Sequence, residues 1–105
     1  MAITNSQLSS TAKTEVFVGD GENAITCIIL CNTSGSTDAT VSIWAVPAAV
    51  AAGDANMIMN EVSLPAGETF SLDTERFILS DGDSIQAQAS QNLIVTATIS
   101  YVRTA

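Results

Sequence analysis

Between Leu93 and Tyr101 every second position is apolar: Leu93, Val95, Ala97, Ile99 and Tyr101, with Thr96, Thr98 and Ser100 among the residues between them. Alternation at period two predicts a strand with one dry and one wet face. A slip of one residue would bury the hydroxyls and expose the apolar set, so this register is tightly specified. Residues 84–89 repeat the pattern, with Ile85, Ala87 and Ala89 set against Gln86 and Gln88, and residues 15–19 set Glu15, Phe17 and Gly19 against Val16 and Val18. Residues 24–30 are apolar except for Thr26, as expected for a central strand or for one covered on both sides by sheet and neighbour. Residues 40–47 alternate less cleanly, Val41 and Ile43 against Ser42, Trp44 and Val46. That strand is expected to stop at Pro47, which cannot donate to a ladder. Further strands are predicted over 57–64, 69–72 and 76–79.

Turn formers separate these runs. Residues 32–38 (Asn-Thr-Ser-Gly-Ser-Thr-Asp) favour side-chain bonding to the backbone over continued strand, and the strands on either side are expected to form a hairpin. Pro65-Ala66-Gly67, Asp81-Gly82-Asp83, Gln91-Asn92 and the 19–22 run read as turns. The Ala-rich 48–56 segment pulls toward helix, while Pro47, Gly53 and Asp54 pull toward loop. It is expected to be a crossover with one helical turn, carrying the chain from one sheet to the other. The first ten residues are expected to be a mobile arm. Seven or eight short strands with turn signals at roughly 8–12-residue spacing predict an all-β fold, a single antiparallel β-sandwich, Greek-key or jelly-roll-like. No composition shift divides residues 1–105, so one domain is expected.

Composition adds a preference for burial. Hydrophobic residues make up 47% of the chain and charged residues 13%, against about 25% charged in ordinary soluble domains. Partner subunits are the natural place for the extra apolar surface. Lys13, Arg76 and Arg103 are the only cations, and the net charge is −8. Such a surface repels phosphate backbones and anionic lipid, so neither nucleic acid nor membrane is expected as a partner. Residues 1–13 lack the basic start and apolar block of a secretory signal, and no run approaches the roughly 18–20 apolar residues of a membrane helix. The chain is expected to be soluble, with no export route. Cys27 and Cys31, four apart on one strand, would lie about 13 Å apart, beyond disulfide reach. They are expected to be free and buried, as suits a reducing cytoplasm.

Candidate chemistry is sparse. The sequence contains no histidine, which removes Ser-His-Asp and Cys-His arrangements, and two cysteines on one strand cannot assemble a zinc site. No glycine-rich phosphate loop precedes Lys13. Acidic pairs fall in turns, Asp20 with Glu22, Asp73 with Glu75 and Asp81 with Asp83. They could offer calcium oxygen ligands, but none has the spacing of a twelve-residue calcium loop, and turns select Asp and Gly for their own reasons. Paired carboxylates could also serve glycoside hydrolysis, yet one Trp and one Tyr offer little surface for sugar stacking. Trp44 and Cys27 suggest an immunoglobulin core, but the second cysteine near the C-terminus is missing. Asn32-Thr33-Ser34 matches a glycosylation sequon without an accompanying export signal. No catalytic, cofactor or metal residues are assigned, and the chain is not expected to be an enzyme.

The order of phrases carries more than any single residue. Ile29-Leu30-Cys31-Asn32-Thr33-Ser34-Gly35 followed by Ala39-Thr40-Val41-Ser42-Ile43-Trp44-Ala45-Val46-Pro47 resembles the opening strands of small virion structural proteins of tailed bacteriophages, especially phages of marine and cyanobacterial hosts. Leu64-Pro65-Ala66-Gly67-Glu68-Thr69, Leu79-Ser80-Asp81-Gly82-Asp83-Ser84-Ile85-Gln86-Ala87 and Val95-Thr96-Ala97-Thr98-Ile99-Ser100-Tyr101 extend the resemblance to residues 25–101. It implies a repeated structural subunit, made in the host cytoplasm and assembled onto the virion. The first expectation is a capsid decoration, or cement, protein on the major capsid protein lattice. A tail, neck or fibre-base protein is the alternative, and an adhesion or carbohydrate-binding module stands further off. By analogy the chain is expected to form a homo-oligomer, a trimer by preference. Its interface is expected among Trp44, Val46, Met57, Met59 and the 48–52 loop, apolar residues hard to place in one small core.

Overall fold

The computed structural model describes residues 2–72 and 77–104. Its strands are β1 (Ala2–Gln7), β2 (Thr14–Val18), β3 (Asn23–Asn32), β4 (Ala39–Val46), β5 (Met57–Leu64), β6 (Thr69–Leu72), β7 (Phe77–Leu79), β8 (Ser84–Ala89) and β9 (Val95–Arg103). One sheet runs β1-β9-β3-β6, with β7 also on β3, and the other runs β2-β8-β4-β5. All pairings are antiparallel. β6 pairs with 28–31 and β7 with 23–25 of β3, so the two lie end to end along the side that β9 leaves free. With β6 and β7 taken as halves of one strand, this is the eight-strand order of a jelly roll, two Greek keys closed into facing sheets.

Every strand with a clean alternation uses it to fill the space between the sheets. From the first sheet come Ile25, Ile28, Leu30, Val95, Ala97 and Ile99, and from the second Val16, Phe17, Val41, Ile43, Ile85, Ala87 and Ala89, all buried. Alanines on β8 and β9 leave room for the branched side chains opposite, as interiors packed to crystal density require. Phe17 of β2 and Tyr101 of β9 meet across the layers at 4.6 Å and 56°, within the favourable range for tilted rings.

Five expectations change. Residues 2–7 are a strand rather than a mobile arm: β1 takes the open side of β9, from Ala2 opposite Tyr101 to Gln7 opposite Thr96. Leu8, fully buried, pins its end. The polar alternation of Ile3, Asn5 and Gln7 gave little sign of this, because an edge strand draws its stability from the ladder it joins. β3 and β4 form no hairpin, since both sides of β3 are occupied and β4 must go to the other sheet. The 33–38 segment makes that crossing. The 47–56 connection, conversely, stays within one sheet, because β4 and β5 pair from Ala39–Leu64 to Trp44–Met57; it contains a single 3-10 turn, Asp54–Asn56. Leu93 precedes β9 rather than opening it, in a left-handed turn with φ 63°, exposed, its amide donating to the Leu8 carbonyl at 2.9 Å. Lastly, the described strands exceed the predicted seven or eight, owing to β1 and the divided β6/β7 edge. Arg76 and the Asp73/Glu75 pair lie outside the described residues.

Two polar positions hold the ends of the sandwich. Asn32 is buried where β3 leaves the sheet; its Nδ2 donates to the carbonyls of Thr37 (2.8 Å) and Leu64 (2.9 Å), and its Oδ1 accepts from the Ser34 amide (3.0 Å). At the opposite end the Gly19 amide donates to the Asp83 carbonyl at 2.7 Å, and the Gly19 carbonyl accepts from the Gly82 amide at 3.0 Å. A Cβ at Gly19 would overlap the Ser80 carbonyl oxygen. Asn32→Ala, which orphans two carbonyls and an amide, is expected to cost about 2–4 kcal/mol. Gly19→Ala, which forces the two turns apart, should cost about 2–3 kcal/mol. Urea unfolding followed by Trp44 fluorescence checks both, and an unchanged midpoint would contradict the role given to either residue.

Candidate functional site

Of the four predicted interface residues, Trp44 and Met57 face each other across β4 and β5, Val46 lies further along β4, and Met59 turns to the core. Trp44 is 5% and Val46 3% exposed, so both are already covered within one chain. Opposite Gln86 and Ser84 on β8, they lie on the outer side of the second sheet. Trp44 is capped there by Lys13, whose Nζ sits 4.8 Å from the ring centroid, and the 3-10 turn packs beside β4. Met59 packs against the core, and Met57 is half-buried opposite Trp44 on β5. Trp44 and Val46 stay outside the core cluster between the sheets, and Lys13 supplies part of the cover over Trp44. Of the 48–52 loop, residues 48–51 are exposed, Val50 most clearly.

The acidic turns are used for structure. Asp83 accepts from the Ala48 amide with Oδ1 and from the Ser80 amide with Oδ2, both at 2.9 Å, and Asp81 Oδ1 accepts from the Gly21 amide at 3.1 Å. Asp20 pairs with Arg103 at 3.5 Å, an exposed contact of little energetic weight. Among the described residues no group of three or more His, Cys, Asp or Glu could hold a metal ion.

Two hollows mark the surface. A cleft of about 320 Å³ is lined by Ala45, Val46 and Pro47 at the end of β4, by Phe77, Ile78 and Leu79 of β7, and by Asp83. Its one carboxylate is the Asp83 group already bonded to two amides. A polar hollow of about 190 Å³ lies over the second sheet, lined by Ser10, Thr40, Ser42, Glu61, Gln88, Ala89 and Ser90. There Ser42 Oγ accepts from the Glu61 amide at 3.0 Å, and Gln88 Nε2 donates to the Ser10 carbonyl at 3.0 Å.

What stands open is the outer face of the first sheet. Across it, Ile3 of β1 lies beside Ser100 of β9 and Cys27 of β3. The next row is Asn5, Thr98, Ile29 and Ser71, and the one after it Gln7, Thr96, Cys31 and Thr69. Beyond Ser100, Val102 and Ala24 lead to Ile78. Among the described residues this face carries no charge, while the described carboxylates lie in turns, in the 3-10 turn or on β2 and β5. Ile3 (64% exposed) and Ile78 (62% exposed) lie on it, with Ile29 more centrally placed. Cys27 and Cys31 are free, as expected, but half-buried on this face rather than enclosed. Sequence reasoning had the signal in hand: Thr96, Thr98 and Ser100 on the wet side of β9, and the off-core positions of β3, are all uncharged. It lacked the pairing that places them side by side.

No family model matches this chain, and no curated protein matches it. The face presents hydroxyls, small apolar groups and thiols on one side of a sheet.

Lys13→Ala is expected to cost about 0.5–1 kcal/mol through loss of the cation–π contact, and to shift the emission of Trp44 to longer wavelength as water reaches the ring. Identical emission and stability in the variant would contradict the capping role of Lys13.

Proposed function

We propose that this chain is a virion structural protein of a tailed bacteriophage, a capsid decoration (cement) protein that binds the major capsid protein lattice and stabilises the head. The observation that carries the reading is the outer face of the first sheet, uncharged among the described residues, on a chain of net charge −8. Surface of this kind contributes when it is buried, and burial across joints between capsid subunits is how a decoration protein works. The resemblance of residues 25–101 to small phage virion proteins supports the same reading. The jelly roll is compatible with it but hosts many other functions. Binding to assembled but not to dissociated capsid subunits would stabilise the particle by mass action.

Immunogold labelling of intact and opened particles, with copy number from quantitative mass spectrometry, tests the location. Label over heads at a copy number comparable with the major capsid protein is expected. Label confined to tails or necks, at far fewer copies, would overturn decoration in favour of a tail, neck or fibre-base role. Heads lacking the protein are expected to release DNA at lower temperature, with recovery that saturates as purified protein is added back.

A further inference from the structure

We propose that the outer face of the first sheet is a self-association surface, on which two copies of this chain pack sheet against sheet about a two-fold axis. The inference concerns the isolated chain and does not depend on the virion reading. Charge selects the occupant. Two copies of a chain carrying −8 repel one another through most of their surface, and close approach is least opposed where neither copy presents a carboxylate. The described part of this face meets that condition, from Ile3 on β1 to Ile78 on β7. A basic partner would instead be drawn to the acidic turns at the ends of the sandwich.

Size is of the right order. The fourteen described outward positions, at about 4.8 Å by 6.8 Å each, give roughly 450 Å² of flat area per copy, or roughly 900 Å² for the pair. That is close to the area of about 1,000 Å² expected of a specific interface. Thr98 and Ile29, adjacent in the middle row, occupy its centre. Side chains this small let two sheets approach to the usual spacing of about 10 Å, and a flat self-complementary patch suits an isologous two-fold contact.

The sheet edges agree. β5, at the edge of the second sheet, is interrupted by register irregularities against β4 and by Glu61 at φ 49°, devices that discourage further pairing. β1 has six regularly paired residues with no charge and no proline.

The test is sedimentation velocity of the purified chain at about 100 μM, with Ile29→Lys and Thr98→Lys as face variants and Ile58→Lys on β5 as the control. The wild type and the control are expected at twice the 10.8 kDa chain mass. Both face variants are expected at the single mass, with unchanged far-UV circular dichroism. Cys27 and Cys31 provide a second readout, their thiols reacting roughly tenfold faster with an aromatic disulfide in the face variants than in the wild type. Should one face variant fail to fold, the other decides. A monomeric wild type, a three-chain mass, an oligomer that survives both face variants, or dissociation by Ile58→Lys would each overturn the inference. A purified monomer would leave the virion reading intact, and a failed particle localisation would leave this inference intact.

Discussion

The pairing of β3 with β9 sets the rest of the molecule. It joins Asn23–Asn32 to Val95–Arg103 along almost their full length, closing a loop of more than half the chain. Long-range closure costs entropy before it returns contacts. The return comes from two strands that both place a nearly unbroken apolar row on the inner side. Once the ladder exists, its two flanks determine where the remaining strands can pair. β9 has one open side, which β1 takes, and β3 has one, which β6 and β7 share. β4, next in sequence after β3, finds no edge there and founds the second sheet. The jelly-roll order thus results from which edges are free at the centre of the first sheet.

The same arrangement sorts polarity. Carboxylates collect at the ends, where Asp81 and Asp83 accept backbone amides and hold neighbouring turns together. Among the described residues every buried side-chain nitrogen or oxygen has a hydrogen-bond partner, as expected of a well-formed interior. The two sheets differ on their outer sides. The second carries Glu15 and Glu61, the polar hollow and the Lys13–Trp44 contact, with the 3-10 turn beside β4. The first is bare and uncharged where described. The two outer sides therefore differ in kind, one charged and partly covered, the other uncharged among the described residues. The uncharged side links the decoration reading and the two-fold contact, although each stands on its own.

The sequence by itself determined the class of fold and most of the strands, because period-two alternation in 84–89 and 93–101 fits only a half-buried strand and the Gly, Asn and Asp clusters mark where pairing stops. It also determined the lack of histidine-based chemistry and the free state of Cys27 and Cys31, which rest on composition and on spacing along one strand. Only the tertiary structure decided the partners of each strand. Residues 2–7 carry too little apolar pattern to be recognised as β1, and the turn formers of 33–38 suit a sheet crossing as well as a hairpin. Only the structure decided the fate of Trp44 and Val46, since cover from Lys13 and a neighbouring connection cannot be read from positions on β4 alone. The uncharged face was present in the sequence as scattered hydroxyls, cysteines and isoleucines. It became a surface only when β1, β9, β3, β6 and β7 were set side by side, because alternation fixes which way a residue points and the ladder fixes what stands next to it.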